Sequence, residues 1–285
     1  MNTLAASRLR LIVTAALFST GGAAIKAIDL SPWQVASFRS GIAAVALLIL
    51  IPASRRLNHL GVWLVGSSFA ATMILFVLAN KLTTAANTIF LQSTAPVYMI
   101  LLAPWLLKEP VRRRDAGFLL PMLFGMSLFF LGQQTPEASA PDPWLGNLLA
   151  TISGLTWATT ILGLRLLSKG GQSGLAAGAV SAGSLISCAA ALPMALPVAG
   201  ISVNDISLLL FLGIFQIGLA YALLSRGMVD VPGLEASLLL LLEPVLNPVW
   251  AFLFQGELPN LWSGTGCFVI LSTVIVRAVV EARGH

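Results

Sequence analysis

The chain is poor in charged residues and almost without the residues that serve most enzymes. Of its 285 residues only 9% are charged, and it has two histidines and two cysteines. A soluble domain is normally about one quarter charged. This chain therefore has too little polar sequence to cover a surface that faces water. The composition predicts that most of the surface lies in lipid.

The scarcity of histidine and cysteine excludes several kinds of chemistry. His59 and His285 lie outside the long apolar runs, so there is no HExxH metal motif and no histidine base within a span for a serine nucleophile. Cys188 and Cys267 lack metal-ligand spacing. No GxxxxGK[ST] loop occurs, so this chain does not hydrolyse ATP. We expect no enzyme activity, no cofactor and no metal.

Long hydrophobic runs are what the sequence has in abundance. The chain is 57% hydrophobic with a mean hydropathy of +0.91. A spanning helix needs roughly 20 apolar residues, and we count about ten such runs. They cover about 9–27, 33–53, 60–80, 84–107, 115–133, 144–167, 174–196, 205–225, 231–255 and 260–280. The runs are continuous rather than alternating, which excludes a β-barrel. The predicted fold class is an all-α membrane protein with ten transmembrane helices.

The distribution of basic residues predicts the orientation. If the N-terminus is cytoplasmic, 13 of the 16 basic residues fall at cytoplasmic span ends, and the exceptions are Lys26, Arg39 and Lys81. An excess of Lys and Arg marks the cytoplasmic side. The net charge of +5 then reflects topology rather than a nucleic-acid partner. We expect both termini in the cytoplasm.

The first run, preceded by Arg8 and Arg10, resembles a signal peptide, but nine further runs favour an uncleaved span.

Two segments, 84–109 and 232–257, repeat one another at an offset of 148 positions. The shared residues are Leu91/Leu239, Pro96/Pro244, Val97/Val245, Ala103/Ala251 and Glu109/Glu257. A weaker echo matches Phe18 and Lys26 to Trp157 and Arg165. The polar loop 134–143 divides the runs five and five, which would invert the second half. We therefore predict two inverted five-helix repeats, 1–133 and 144–285, joined by a periplasmic linker, an arrangement typical of carriers.

Glu243 and Arg39 are ionisable residues at membrane depth, where such groups are costly. Glu243 lies roughly 16 Å into the ninth run, beside Pro244 and one turn before Asn247. It either binds substrate or a proton, or satisfies the backbone broken by the prolines. Arg39 lies roughly 9 Å into the second run. It either snorkels outward or pairs with Glu243.

Further polar and aromatic residues lie in four other runs, the third, fourth, sixth and eighth. They are Asn80, the stripe Asn87, Thr94 and Tyr98 around Pro96, the set Ser153, Trp157 and Thr160, and Gln216 with Tyr221. Each alone is more typical of hydrogen bonding between helices. Taken together, they predict a cavity for a small organic solute with one polar and one apolar part.

Several short segments resemble a known family. Leu17-Phe18-Ser19 to Ala24-Ile25-Lys26, Ser37-Phe38-Arg39, Ala95-Pro96-Val97 and Leu242-Glu243-Pro244-Val245 resemble the EamA repeats of the drug/metabolite transporter superfamily. Within it, the chain is most similar to the YddG-type exporters, often associated with aromatic amino acids. The resemblance implies a bacterial inner-membrane exporter of amino acids and related metabolites. Phe18 departs from the pattern, since many EamA repeats have Trp there.

The sequence thus predicts a multi-pass secondary transporter that exports amino acids by alternating access. The predicted substrate contacts are Asn80, Tyr98, Trp157, Gln216, Tyr221 and Glu243, and the predicted hinges are Pro96, Pro244 and Pro248. The alternatives are a multidrug or organic-cation exporter, with Glu243 as counter-ion, and a channel-like facilitator. Coupling to a proton gradient or to the substrate gradient stays open. The expected partners are the substrate and membrane lipid.

Overall fold

The computed structural model describes residues 3–106, 113–131, 136–168, 173–228, 231, 236 and 239–283, and they are predominantly helical. The α-helices are α1 (Thr3–Ser19), α2 (Gly21–Lys26), α3 (Pro32–Leu50), α4 (Leu60–Leu82), α5 (Ala85–Gln92), α6 (Ala95–Leu106), α7 (Arg113–Leu131), α8 (Pro143–Ser168), α9 (Ser173–Ala195), α10 (Val203–Leu210), α11 (Ala220–Gly227), α12 (Leu242–Gln255) and α13 (Leu261–Arg283). A π-helix, Phe211–Leu219, joins α10 to α11, and Pro52–Arg55 form a 3₁₀ turn. Strand pairing in the described ranges is limited to an isolated bridge between Glu137 and Ala140.

Seven helical stretches are long and apolar enough to cross a membrane. They are Leu4–Lys26, Pro32–Leu50, Leu60–Leu82, Ala85–Leu102, Pro143–Ser168, Gly174–Ala195 and Val203–Gly227. Gly117–Leu131 and Leu261–Arg277 are shorter apolar helices. The predicted ninth run, 231–255, includes residues 232–235 and 237–238, which lie outside the described ranges, and it ends in α12. The prediction of an all-helical, multi-pass membrane protein is confirmed at this level, whereas the count of ten spans and the cytoplasmic termini stay predictions.

Local sequence signals explain where several helices begin and end. Ser31 accepts a hydrogen bond from the Gln34 amide, and the Gln34 side chain accepts one from the Ser31 amide, which closes a capping box at the start of α3. Ser202 and Asp205 do the same for α10. At the end of α12, Gly256 adopts φ 67°, the left-handed conformation that glycine enters without a Cβ clash.

The main packing joins the first half of the chain to the second. Helix α4 lies against α8 and α9, α3 lies against α9 and the π-helix, and α7 lies against α13. On the other side, α1 lies against α11 and α12, while α5 and α6 both contact α8. Each of these helices in the first half therefore buries a face against the second half.

Helices α4 and α9 approach each other closely at a pair of glycines. A Cβ built on Gly66 would lie 2.9 Å from the backbone nitrogen of Gly183, and one on Gly183 would lie 2.6 Å from the carbonyl oxygen of Gly66. Ala179 and Ala182 flank the crossing and are fully buried. In a lipid bilayer the hydrophobic effect does not drive helices together. Close packing of small residues such as these contributes to helix association instead.

A seam of hydroxyl groups holds α4 to α8. Ser68 donates to the Thr156 carbonyl at 2.9 Å, Thr72 donates to the Thr156 hydroxyl at 2.9 Å, and Thr160 donates to Ser68 at 3.2 Å. Gln92 extends the seam by donating to Ser153 at 2.7 Å. Ser153 and Thr160 therefore act in helix packing rather than as walls of a cavity.

Replacing Gly183 with Ala should destabilise the protein. The added methyl would overlap the Gly66 backbone, which cannot move without separating α4 from α9, and overpacking of this kind typically costs about 1–3 kcal/mol. The unfolding temperature of detergent-purified protein measures the effect. The matched control is Gly264→Ala, because a Cβ at Gly264 of α13 meets no atom within 4 Å. Equal unfolding temperatures for the two variants would contradict the crossing.

Candidate functional site

Two helices are broken at equivalent points of the sequence repeat. Residues Ser93 and Thr94 form a turn between α5 and α6, and Leu241 forms a turn immediately before α12. Leu241 follows Ser93 by 148 positions, the offset of the repeat. Each break is followed by a proline in the first turn of the next helix, where its missing amide donor costs nothing. Pro96 and Pro244 thus sit at the breaks where hinges were predicted, while Pro248 lies inside α12.

The first membrane helix is also broken, at Thr20, and α12 holds it there. The Asn247 amide donates to the Ser19 carbonyl at 3.1 Å, and the Trp250 indole donates to the Ser19 hydroxyl at 2.9 Å. Farther along α12, Gln255 donates to the Ala23 carbonyl at 2.9 Å. Side chains of α12 therefore satisfy carbonyl and hydroxyl groups around the break, as irregular backbone at membrane depth requires.

The broken helices and the π-helix surround a central cavity of about 110 Å³. Its walls are formed by Phe18, Arg39, Thr72, Met73, Phe76, Ile89, Gln92, Ser93, Trp157, Gln216, Ile217, Tyr221 and Glu243. Gln216 comes from the π-helix, whose wider turns often accompany functional sites. The cavity thus draws on both halves of the chain.

Arg39 and Glu243 bring opposite charges to the central cavity. Arg39 is 1% exposed and donates from Nη2 to the Met73 carbonyl at 3.3 Å. Its Nε has no hydrogen-bond partner in the described part of the chain. Glu243 lies in the first turn of α12, where the helix dipole favours an anion. Within the described ranges the two side chains form no ion pair with each other, so their charged groups lie more than 4 Å apart.

Aromatic rings form another wall of the central cavity. Tyr221 packs edge-on against Phe18, with ring centroids 5.2 Å apart, and against Phe69 at 5.8 Å. Its phenol is within electrostatic reach of both Arg39 and Glu243. Trp157, the sequence counterpart of Phe18 in the second half, lines the same cavity. The weak echo between Phe18 and Trp157 therefore joins two residues that share one site.

A second, mainly apolar chamber of about 200 Å³ adjoins the central cavity. The two share Ser93, Trp157 and Glu243. The other walls of this apolar chamber are Phe90, Ala95, Pro96, Met99, Ile161, Leu240, Leu241, Pro244, Ile270, Leu271 and Val274. A cavity lined by Arg39 and Glu243 thus lies next to a mainly apolar one.

The end of the molecule that carries the linker, here called the linker end, is closed by a buried ion pair. Lys26 Nζ lies 2.7 Å from Glu257 Oε1, and the two side chains are only 5% and 3% exposed. The other carboxylate oxygen of Glu257 accepts from the Ala85 amide at 2.9 Å, at the start of α5. Lys26 also donates to the Ser139 carbonyl. The contacts of Lys26 and Glu257 therefore connect α2, α5, the linker and the end of α12.

A tightly packed layer around Gly22 lies near this ion pair. A Cβ on Gly22 would lie 2.9 Å from the Ala85 methyl, 3.0 Å from Asn80 Oδ1 and 3.1 Å from Asn247 Nδ2. Asn80 also lines a separate polar pocket of about 270 Å³ at the linker end, together with Lys26 and Gln255. Only glycine permits three other helices to approach α2 this closely.

Four of the six predicted substrate residues meet in the central cavity: Trp157, Gln216, Tyr221 and Glu243. Asn80 does not, because it lies near the linker end of α4, and its amide donates to the Phe76 carbonyl at 2.9 Å. Tyr98 lines neither the central cavity nor the apolar chamber; it interacts with Thr94 and packs against the apolar core.

The predicted stripe of Asn87, Thr94 and Tyr98 does not line the central cavity. A turn at Ser93–Thr94 separates Asn87 of α5 from Tyr98 of α6, and Tyr98 interacts with Thr94. Asn87 instead donates to Asn147 of α8 at 3.1 Å, and Asn147 donates to the Phe129 carbonyl of α7 at 2.9 Å. These amides connect helices.

Sequence reasoning left Arg39 and Phe18 out of the substrate contacts, although both line the central cavity. The sequence feature that could have identified Arg39 is a basic residue within a long apolar run. The cavity itself comes from three-dimensional packing. Arg39 is buried and forms no ion pair with Glu243 in the described structure, so the predicted pairing of the two is wrong.

Broken helices surround a cavity at the centre of the molecule, which is the arrangement that many membrane transporters use for a solute site. The model of the EamA-like transporter family matches residues 8–131 and again residues 144–278, so the chain belongs to that family. The family lies in the drug/metabolite transporter superfamily, which implies membrane transport of small solutes. The predicted recognition is confirmed at this level.

Comparison with solved structures supports the fold. One crystal structure, titled only as that of a protein, superposes with a TM-score of 0.65 over 98% of both chains at 18% sequence identity. At that identity the likeness concerns the fold alone. No curated protein matches the chain.

Removing one partner of the Lys26–Glu257 pair should destabilise the protein strongly. Lys26→Met leaves a buried carboxylate without its cation, and such single removals typically cost about 3–5 kcal/mol. The double variant Lys26→Met, Glu257→Leu removes both charges and should recover part of the loss. Thermal unfolding in detergent measures both, with Glu137→Gln, an exposed acid on the same side, as control. Additive losses in the double variant would contradict a coupled pair.

Proposed function

We propose that this protein is a secondary transporter that exports amino acids, chiefly those with apolar side chains, by alternating access. The observation that carries the proposal is the central cavity, which is lined by Arg39 and Glu243 and shares Ser93, Trp157 and Glu243 with the adjoining apolar chamber. A solute that has both charges at one end and hydrocarbon at the other matches this arrangement. The proposed YddG-type specificity for aromatic amino acids is one form of this class.

The packing of the halves supports the proposed inverted repeat. In the proposed repeat, α1 corresponds to α8, α4 to the π-helix with α11, and α5 and α6 to α12. The contact of α4 with α8 then has an equivalent in the contact of the π-helix and α11 with α1, and both are present. The contact of α5 and α6 with α8 likewise has an equivalent in the contact of α12 with α1. A carrier built on a pseudo-twofold axis reverses its access by exchanging such equivalent contacts.

We infer that the linker end faces the exterior and is closed in this conformation. The Lys26–Glu257 pair and the layer around Gly22 separate the central cavity from the polar pocket at that end. The apolar chamber lies on the other side of the cavity, since Ile161 and Val274 are farther along α8 and α13 from the linker end. A substrate would therefore enter from the cytoplasm, as export requires.

The buried Arg39 counts against an organic-cation exporter. A guanidinium in a site of low dielectric repels a cation that enters beside it, and the carboxylate of Glu243 cannot compensate both charges. A channel-like facilitator is disfavoured by the closed linker end.

Counterflow in proteoliposomes tests the function. We expect saturable exchange of phenylalanine and leucine, and little exchange of tetraphenylphosphonium. Trp157→Ala should lower phenylalanine exchange about tenfold, because the ring lines both chambers. The matched control is Trp144→Ala, an exposed tryptophan on the same helix. Non-saturable flux, or exchange of the cation alone, would overturn the proposal.

Proton coupling through Glu243 makes a separate prediction. If this carboxyl carries the coupling proton, Glu243→Gln should remove the pH dependence of net transport, because glutamine cannot release a proton. Uptake into liposomes with and without an imposed pH gradient measures it, and Glu137→Gln is the control. Should both flux and pH dependence survive in Glu243→Gln, the residue is structural and transport follows the substrate gradient.

A further inference from the structure

We infer that Arg39 binds the carboxylate of the substrate and that Glu243 binds its ammonium group, so that the transporter selects zwitterions. This assignment rests on the proposed function and adds Arg39 as a specificity-determining residue. It follows from the placement of the two charges and from what each lacks in its surroundings.

The guanidinium of Arg39 has unused donors. It is 1% exposed, and its contacts in the described structure are the Met73 carbonyl and the Met73 sulfur, 3.3 Å and 3.5 Å from Nη2. Nε has no acceptor. A buried cation without a carboxylate partner is costly to maintain. Its planar donors fit a carboxylate, which can accept two parallel hydrogen bonds.

Glu243 supplies the complementary charge at a distance. Its carboxylate makes no hydrogen bond within the described part of the chain, and it borders both the central cavity and the apolar chamber. Since the pair is not in direct contact, the two charges do not neutralise each other. A ligand that carries both an anion and a cation can complete both sites at once.

The apolar chamber fixes the direction of the ligand. With its charged end between Arg39 and Glu243, an amino acid would place its side chain past Trp157, among Met99, Ile161 and Leu271. Amino acids with charged side chains would bring an unpaired charge into this chamber. The site therefore favours neutral, apolar side chains.

Binding of three related probes to purified protein tests the inference. The probes are L-phenylalanine, phenethylamine, which lacks the carboxylate, and 3-phenylpropanoate, which lacks the ammonium group. We expect phenylalanine to bind about ten- to one-hundredfold more tightly than either, the range expected for one charged hydrogen-bonded contact. Affinity is read from calorimetry or from ligand-induced thermal stabilisation.

Variants of Arg39 and Glu243 test which residue contacts the carboxylate of the ligand and which contacts its ammonium group. Arg39→Gln should weaken phenylalanine and 3-phenylpropanoate but not phenethylamine, whose binding should improve once the repelling guanidinium is removed. Glu243→Gln should weaken phenylalanine and phenethylamine but not 3-phenylpropanoate. Arg39→Lys keeps the charge and should retain part of the preference for a carboxylate. If Arg39→Gln fails to fold, the probe preference of the unmodified protein and the Glu243→Gln variant still decide.

The outcomes separate the two claims. If phenylalanine binds and exchanges but Arg39→Gln weakens all three probes equally, Arg39 is structural and only this inference fails. Equal affinities of the unmodified protein for phenylalanine and phenethylamine would also overturn it. If no amino acid binds or exchanges at all, the proposed function fails with it.

Discussion

Lipid offers no hydrogen bonds, and this constraint shapes the whole molecule. Every polar group within the bilayer must find a partner in the protein or face a cavity. The backbone does so within its helices, and several side chains do so between helices, through the hydroxyl seam of Ser68 and Thr156 and the amide contacts of Asn87 and Asn147. Arg39 and Glu243 stand apart because their charges face the central cavity instead.

Two charge pairs of opposite kind serve the two needs of a transporter. Lys26 and Glu257 are in contact and closed off, and they draw α2, α5, the linker and α12 together. Arg39 and Glu243 form no ion pair with each other in the described structure, and both line the central cavity. The first pair holds helices together, whereas we propose that the second binds the solute. A carrier needs both, because the free energy of substrate binding must offset the interactions that break when a gate opens.

Sequence reasoning predicted those features that a local pattern of residues determines. Apolar run length predicted the membrane helices, and a carboxylate beside a proline in such a run singled out Glu243. The repeat predicted the matching breaks at Ser93 and Leu241. It did not predict which polar residues of a helix face the cavity: Tyr98 lies in the apolar packing and interacts with Thr94 instead. The Lys26–Glu257 contact could not be read from sequence, since nothing local connects the two residues. Glu109, the repeat mate of Glu257, lies outside the described ranges.

The packing of first-half helices against second-half helices has a consequence for folding during translation. Helix α4 finds its principal neighbours in α8 and α9, and α7 finds its own in α13. During synthesis the first half enters the bilayer before those neighbours exist, with the groove at Gly66 and the hydroxyls of Ser68 and Thr72 turned toward lipid. Its tertiary structure must therefore wait for translation of the second half, and cotranslational maturation of this protein ends only when its last helix arrives.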